Sequence, residues 1–289
     1  MAAEAPARLE DLAALRAWRA ARNGRPVHFV PTMGNLHAGH LELVRAARVD
    51  GAAVIASIFV NPTQFGPGED FERYPRTLGA DLQALAATGC DAVWAPDVAT
   101  MYPAGERGRY AVRPPPALTG CLCGVGRPGH FDGVCNVVMR LLWQVRPDRA
   151  LFGEKDWQQL VIVRRMVEEF SIPVAIDAVP TARAEDGLAL SSRNAYLDAD
   201  QRRRAPALYR TLAAAAAEAG VRGTPAYPEL ERRATEALQA AGFEPEYVEF
   251  RDAGTLGAPE GHNDRLFAAA RLGAARLIDN VAVTRQIRR

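Results

Sequence analysis

Ala53-Val-Ile-Ala-Ser-Ile-Phe-Val60 is apolar on both faces and stops at Asn61-Pro62, the pattern of a strand inside a sheet that is covered on both sides. Such a strand narrows the architecture sharply. Parallel neighbours must reach it by crossovers that lay helices on the two faces. The preceding residues supply one crossover. Val27-His-Phe-Val30 is a second apolar run, Pro31 and Gly34 mark a turn, and Leu41, Val44 and Ala47 carry helical spacing through residues 37–49. Strand, glycine turn, helix and strand make a βαβ unit, so a parallel sheet is expected with its ligand at the carboxyl ends of the strands.

The alternation continues along the chain. Helices are expected over 81–87, 134–145 and 157–170, and strands over 91–95, 149–152 and 174–179. Residues 8–22 read as one amphipathic helix ahead of the first strand. After about Leu197 the pattern changes to Ala- and Arg-rich helices over 200–219 and 228–241, followed by strand-like runs at 247–250, 265–268 and 276–283. The fold class is therefore α/β, a doubly wound parallel sheet with a second, smaller α+β domain at the C-terminal end, joined near 184–198.

A formal net charge of +1 over 289 residues provides no global basic field for nucleic acid and no polybasic tail for an anionic membrane. No apolar run approaches the ~20 residues of a membrane span, and Met1–Glu10 lacks a signal-peptide pattern. A cytoplasmic location is the expectation. Cys90, Cys121, Cys123 and Cys135 contain no CxxC pair, so they read as buried or incidental thiols. Lys155 is the single lysine among 35 basic residues, which draws notice to a position where a compact ammonium replaces the planar guanidinium fork.

Three clusters suit phosphate. In Pro31-Thr-Met-Gly-Asn-Leu-His37-Ala-Gly-His40, two imidazoles three residues apart open a helix whose free N–H groups and dipole already favour an anion. A His-x-Gly-His turn resembles the signature of the nucleotidyl-transferase superfamily. Phe152-Gly-Glu-Lys155-Asp156 lies where a strand passes into a helix, with Asp156 suited to a ribose hydroxyl or to a cap. Asp186-Gly-Leu-Ala-Leu-Ser191-Ser192-Arg193-Asn194 combines two hydroxyls and a guanidinium, which reads as a triphosphate clamp or, equally, as a cap with a surface arginine. For the acid, the Gly/Pro-rich loop from Asn61 through Gln64 to Arg76, together with Gln159, supplies neutral amides that bind hydroxyl groups without repelling a carboxylate. Arg127 is a candidate anion contact, and His130 reads as a structural loop residue.

Pro31–His40, Ser57–Pro62, Arg73–Thr77, Arg127–Phe131, Gly153–Asp156 and Gly187–Asn194 occur in register, with Arg276–Asn280 near the end. Together they resemble the pantoate–β-alanine ligase family. The resemblance implies a Rossmann-like ATP- and pantoate-binding domain over 1–185, a C-terminal lid domain over 186–289, a homodimer and a requirement for Mg²⁺. It implies that Met33, Gly34, Asn35, Leu36, His37, Ala38, Gly39 and His40 line ATP. Gly153, Glu154, Lys155, Asp156, Ala182, Leu190, Ser191, Ser192 and Arg193 complete that site. His37, His40, Lys155 and Arg193 are the implied catalytic groups, and Gln64, Gln159, Asn61 and Arg127 the implied substrate contacts, with pantoate and β-alanine as substrates and neither nucleic acid nor membrane as partner. Asp81 matches an acidic position near the metal, although Ala80 stands where some members carry a second acid, and Glu185 stands where a basic residue is common. Two rivals remain at this level: another adenylyl- or cytidylyltransferase on the same scaffold, and a non-catalytic nucleotide-sensing or RNA-binding module.

Overall fold

The computed structural model describes residues 5–22, 24–105 and 108–285. Strands β1 (Ala7–Leu9), β2 (Val27–Thr32), β3 (Ala53–Ile58), β4 (Ala92–Trp94), β5 (Arg149–Gly153) and β6 (Ala175–Val179) form one sheet in the order β1-β4-β3-β2-β5-β6. Every pairing is parallel. The helices of this half are α1 (Leu12–Ala20), α2 (Ala38–Ala47), α3 (Leu78–Thr88), the single turns α4 (Val98–Met101), α5 (Pro116–Thr119) and α6 (Cys123–Gly126), then α7 (His130–Val145) and α8 (Trp157–Glu169).

The central strands are apolar on both faces because both faces are covered. Val30, Val54, Ala56, Val93 and Leu151 pack with Leu43, Val44 and Ala47 of α2 and Leu85 of α3. Phe29, Ile55 and Trp94 are also fully buried, and Trp94 Nε1 donates to Gln144 of α7 at 3.1 Å. Each buried side chain of this size stabilises the fold by about 1.5–3 kcal/mol. The expected helix over 8–22 is corrected at its start. Residues 7–9 pair with β4 as an edge strand, and Asp11 caps α1 by accepting the Ala14 N–H at 2.8 Å.

Strands β7 (Glu244–Asp252), β8 (Asp264–Leu272) and β9 (Ala275–Ala282) form a separate antiparallel sheet in chain order. Helices α9 (Ala199–Arg204), α10 (Ala207–Arg222) and α11 (Tyr227–Ala240) accompany it. Leu208, Leu212, Leu230, Leu238, Phe250 and Leu266 belong to its core.

The chain forms two compact units, and neither is continuous. One comprises the chain up to Pro114, Arg127–Glu154 and Ile162–Pro180; the other comprises Pro115–Gly126, Lys155–Val161 and everything from Thr181. A single break at 185/186 is therefore not what the structure has. Non-local bonds explain the two excursions. Cys123 Sγ lies 3.1 Å from the Tyr247 hydroxyl, the Lys155 carbonyl accepts from Asn280 at 2.9 Å, and Trp157 Nε1 donates to the Ala253 carbonyl at 2.8 Å.

Candidate functional site

In the six-stranded sheet, β3 lies on one side of β2 and β5 on the other, with Phe29 opposite Ala150. The strand order reverses between β2 and β5, which is where an open parallel sheet forms a ligand crevice. The carboxyl end of β2 passes into Met33–His40 and that of β5 into Gly153-Glu154.

The turn after β2 is built around a buried carboxylate. Asp81, 3% exposed, accepts the Asn35 N–H at 3.0 Å, the Leu36 N–H at 2.8 Å and the Thr77 hydroxyl at 3.2 Å. Thr32 Oγ1 receives the Gly34 N–H at 3.1 Å and donates to the Ser57 carbonyl at 2.6 Å. Gly34 is at φ +79°, and a Cβ there would lie 3.0 Å from Ile58 Cγ2 and 3.1 Å from Asp81 Oδ2, so glycine is required on both counts. In this structure the two Asp81 oxygens hold the turn, and a metal contact at Asp81 stays a proposal. Among the described residues no group of three or more His, Cys, Asp or Glu side chains is placed to hold a metal ion.

Helix α2 starts at Ala38 with His37 as its N-cap. His37 Nδ1 accepts the Gly39 N–H at 3.1 Å, His40 Nδ1 accepts the His37 N–H at 3.3 Å, and the two rings lie 4.0 Å apart. A neutral imidazole that accepts at Nδ1 carries its proton on Nε2. The capping box thereby selects one tautomer for both rings and makes each an Nε2–H donor at a helix N-terminus.

On the acid side, Gln64 Nε2 lies 3.1 Å from Met33 Sδ, and its Oε1 accepts from Asn61 at 3.0 Å. Asn61 is 1% exposed and satisfied throughout. Its Nδ2 also donates to the Gly133 carbonyl at 3.1 Å, and its Oδ1 accepts from the Thr63 backbone and hydroxyl and from the Tyr102 hydroxyl at 2.8 Å. Asn61 thereby orients Gln64. Burial pushes the Tyr102 phenol above its ordinary value, against smaller opposing effects from Thr63, Arg109 and Arg140. Arg127, proposed as an anion contact, is held by its neighbours. It forms a bidentate pair with Glu69 at 2.8 and 2.7 Å and a 2.9 Å contact with His130 Nε2, while His130 Nδ1 lies 2.8 Å from the Gln64 carbonyl. Burial alone would raise the Glu69 carboxyl, yet the bonds and charge of Arg127, helped by His130, hold it below the usual carboxylate value.

Thr63, Tyr102 and Gly133 carry structural weight that the sequence reading did not assign. A Cβ at Gly133 would lie 2.1 Å from the Thr63 carbonyl oxygen, so that glycine lets the Asn61–Gln64 turn rest against α7. A glycine within a helical stretch was the available signal.

In the second unit, Lys155 lies in the 3-10 turn Glu154–Asp156, its ammonium 4.0 Å from Asp156. Lys155, Ser191 and Asn194 line one narrow cavity. Ser191 caps the 3-10 turn Ser192–Tyr196 by accepting the Arg193 N–H at 3.3 Å. Ala182 and Leu190 meet in a hairpin through Leu190 N–H to the Ala182 carbonyl at 2.9 Å. Gln159 is half-buried on the first turn of α8.

A parallel sheet whose switch point carries a histidine-capped helix and a glycine turn defines a nucleotide-binding α/β protein. The comparisons make the class specific. The family described as pantoate-beta-alanine ligase matches residues 7–282, and the chain belongs to that family. It is 56% identical over 279 residues to the pantothenate synthetase of Halorhodospira halophila, covering 92% of this chain and 93% of that protein. The crystal structure of pantothenate synthetase from Thermus thermophilus matches with a TM-score of 0.88 at 47% identity, over 96% of this chain and 99% of that one. Pantoate-beta-alanine ligase from Francisella tularensis, complexed with beta-gamma ATP and beta-alanine, matches with a TM-score of 0.78 at 32% identity, covering 96% and 98%.

Proposed function

We propose that this chain is an ATP-dependent ligase that condenses (R)-pantoate with β-alanine through a pantoyl-adenylate, releasing AMP and pyrophosphate. The observation that carries the reading is that His37 and His40 both turn Nδ1 onto the helix backbone at the switch point, in a chain of the pantoate–β-alanine ligase family. Two imidazoles with Nε2 left to donate suit an anionic leaving group, and the reading requires no general base.

The pantoate carboxylate, ionised at neutral pH because such groups titrate near ~4, attacks the α-phosphorus, and the bond to pyrophosphate breaks. His37, His40, Lys155 and Arg193 stabilise the charge that develops on pyrophosphate. Met33–His40, Gly153–Asp156, Ala182 and Leu190–Arg193 bind ATP; Gln64 and Gln159 hold pantoate. The amine of β-alanine, once deprotonated, attacks the acyl carbon, and the carbon–oxygen bond to AMP breaks. Asp81 is the residue that would stand near Mg²⁺, which would offset triphosphate charge, and no step is assigned to the metal. The chain works as a cytoplasmic homodimer, on the strength of the family resemblance; among the described residues no helix is long and apolar enough to cross a membrane.

ATP–pyrophosphate exchange with and without pantoate tests the proposal. Exchange that requires pantoate and proceeds without β-alanine is expected. A stable nucleotide conjugate as product would favour another nucleotidyltransferase, and ATP binding with no exchange would favour a sensing module.

A further inference from the structure

The residues assigned to phosphate in the second unit lie on two segments far apart in sequence, the Lys155 turn and the stretch running from Thr181 through Ser191 to Arg193. Adenylation requires a fixed distance between them, because stabilisation of a departing pyrophosphate falls off sharply with misplacement. One strand reaches both. Asn280 on β9, 4% exposed, donates Nδ2 to the Lys155 carbonyl at 2.9 Å. Its Oδ1 accepts from Arg265, whose guanidinium lies 3.5 Å over the Trp157 ring. Trp157 in turn donates to the Ala253 carbonyl at 2.8 Å, so the turn bearing Lys155 is held at both ends.

The neighbouring residue holds the other segment. Asp279, 3% exposed, accepts both terminal nitrogens of Arg183, at 2.6 and 2.9 Å. Arg183 stacks 3.7 Å over Tyr209, donates to the Gly187 carbonyl at 3.2 Å and pairs with Ala189, just before Ser191. Asp279 Oδ1 also accepts the Asn280 N–H at 2.8 Å, which ties the two side chains to one piece of backbone. Lys155, Ser191 and Asp279 border the same cavity.

We propose that Asp279 and Asn280 are positioning residues for adenylation: from adjacent places on one strand they set the spacing between Lys155 and the Ser191–Arg193 segment. A strand is a stiff spacer, and side chains of successive residues leave it on opposite sides. One residue is thereby aimed at each segment without a further connecting element. The bidentate Arg183 pair adds fixed orientation to that spacing. This inference rests on the ligase reading above.

The test is pyrophosphate exchange, with pantoate affinity measured in parallel, on the wild type, Asn280→Asp, Asp279→Asn and Tyr227→Phe. Tyr227→Phe removes a buried hydrogen bond to Asp264 in the same unit but touches neither anchor, so it reports what lost stability alone does. Asn280→Asp and Asp279→Asn are expected to lower the exchange rate constant at saturating ATP by about 10- to 100-fold, to leave pantoate affinity within about twofold, and to melt no lower than Tyr227→Phe. If Asn280→Asp fails to fold, Asp279→Asn, which keeps shape and weakens only the Arg183 pair, carries the same expectation. A wild-type exchange rate in either folded variant overturns the proposal while leaving the ligase reading intact. No pantoate-dependent exchange in the wild type overturns both.

Discussion

His37 and His40 use their Nδ1 lone pairs on the helix they begin, which residue type alone does not show. Residue type marks two imidazoles suited to phosphate; the structure adds that Nδ1 of each is turned onto the helix backbone. His37→Asn keeps an oxygen that can cap α2 and loses the Nε2–H. Stability is expected to stay within about 1 kcal/mol, while pyrophosphate exchange falls about 10²- to 10³-fold, checked by thermal melting beside the exchange assay. Wild-type exchange in that variant would remove His37 from the phosphate site. Asn61, Arg127 and Asp81 are legible by type but not by partner. Sequence identifies what a side chain is able to bind, and these three are already engaged by Tyr102, Glu69 and the Asn35–Leu36 backbone. The cysteines are simpler. All four are free and buried, and burial pushes the Cys90 and Cys135 thiols up to about 12. A thiol with so high a pKa holds almost no thiolate near pH 8, so mass spectrometry after iodoacetamide treatment should find Cys90 and Cys135 unmodified in the native protein and modified after denaturation.

At the scale of elements, β2, α2 and β3 were legible because alternation of apolar runs with turn residues is local information. Residues 53–60 end two places early as a strand, and 37–49 shorten to Ala38–Ala47 around their cap. β1 was missed because three residues ahead of a helix carry no period; its pairing with β4 is a tertiary fact. The loop after β3 was legible as a loop, but not as a strapped one. Glu69, Arg127 and His130 hold it, through the Gln64 carbonyl, to the start of α7. The pH dependence follows from the lowered Glu69 carboxyl. A depressed folded value means that the strap is fully present above the ordinary carboxyl range and is lost as pH falls through the lowered value. Hydrogen exchange over residues 62–76, taken relative to the intrinsic rate at each pH, should therefore rise as pH falls below the ordinary carboxyl range. Arg127→Ala should raise it already at neutral pH, and Glu69→Gln should remove the step. An unchanged step in Glu69→Gln would assign the acid loosening to another group.

For the whole molecule, a contiguous division was the natural reading, since the change of composition near Leu197 is visible and a chain that leaves a unit and returns is not. Lys155–Val161 follows β5 directly, yet it is anchored by Asn280, Ala253 and Arg265. Pro115–Gly126 belongs to the same unit, where Cys123 meets Tyr247 and Arg276. This arrangement has a consequence for folding. A fragment ending at residue 185 retains all six strands of the parallel sheet but strips both excursions of their partners. Gln158 can still bond the Leu118 and Cys121 carbonyls at 2.9 Å, a local contact too small to order either segment against its lost entropy. Trp157, deprived of its stacking guanidinium and its carbonyl acceptor, should then be exposed to water. The fragment is expected to show tryptophan emission at longer wavelength than the full chain, and adding residues 186–289 as a separate peptide should restore it in part. Native emission from the fragment alone would mean that the surroundings of Trp157 are supplied by residues ahead of 186.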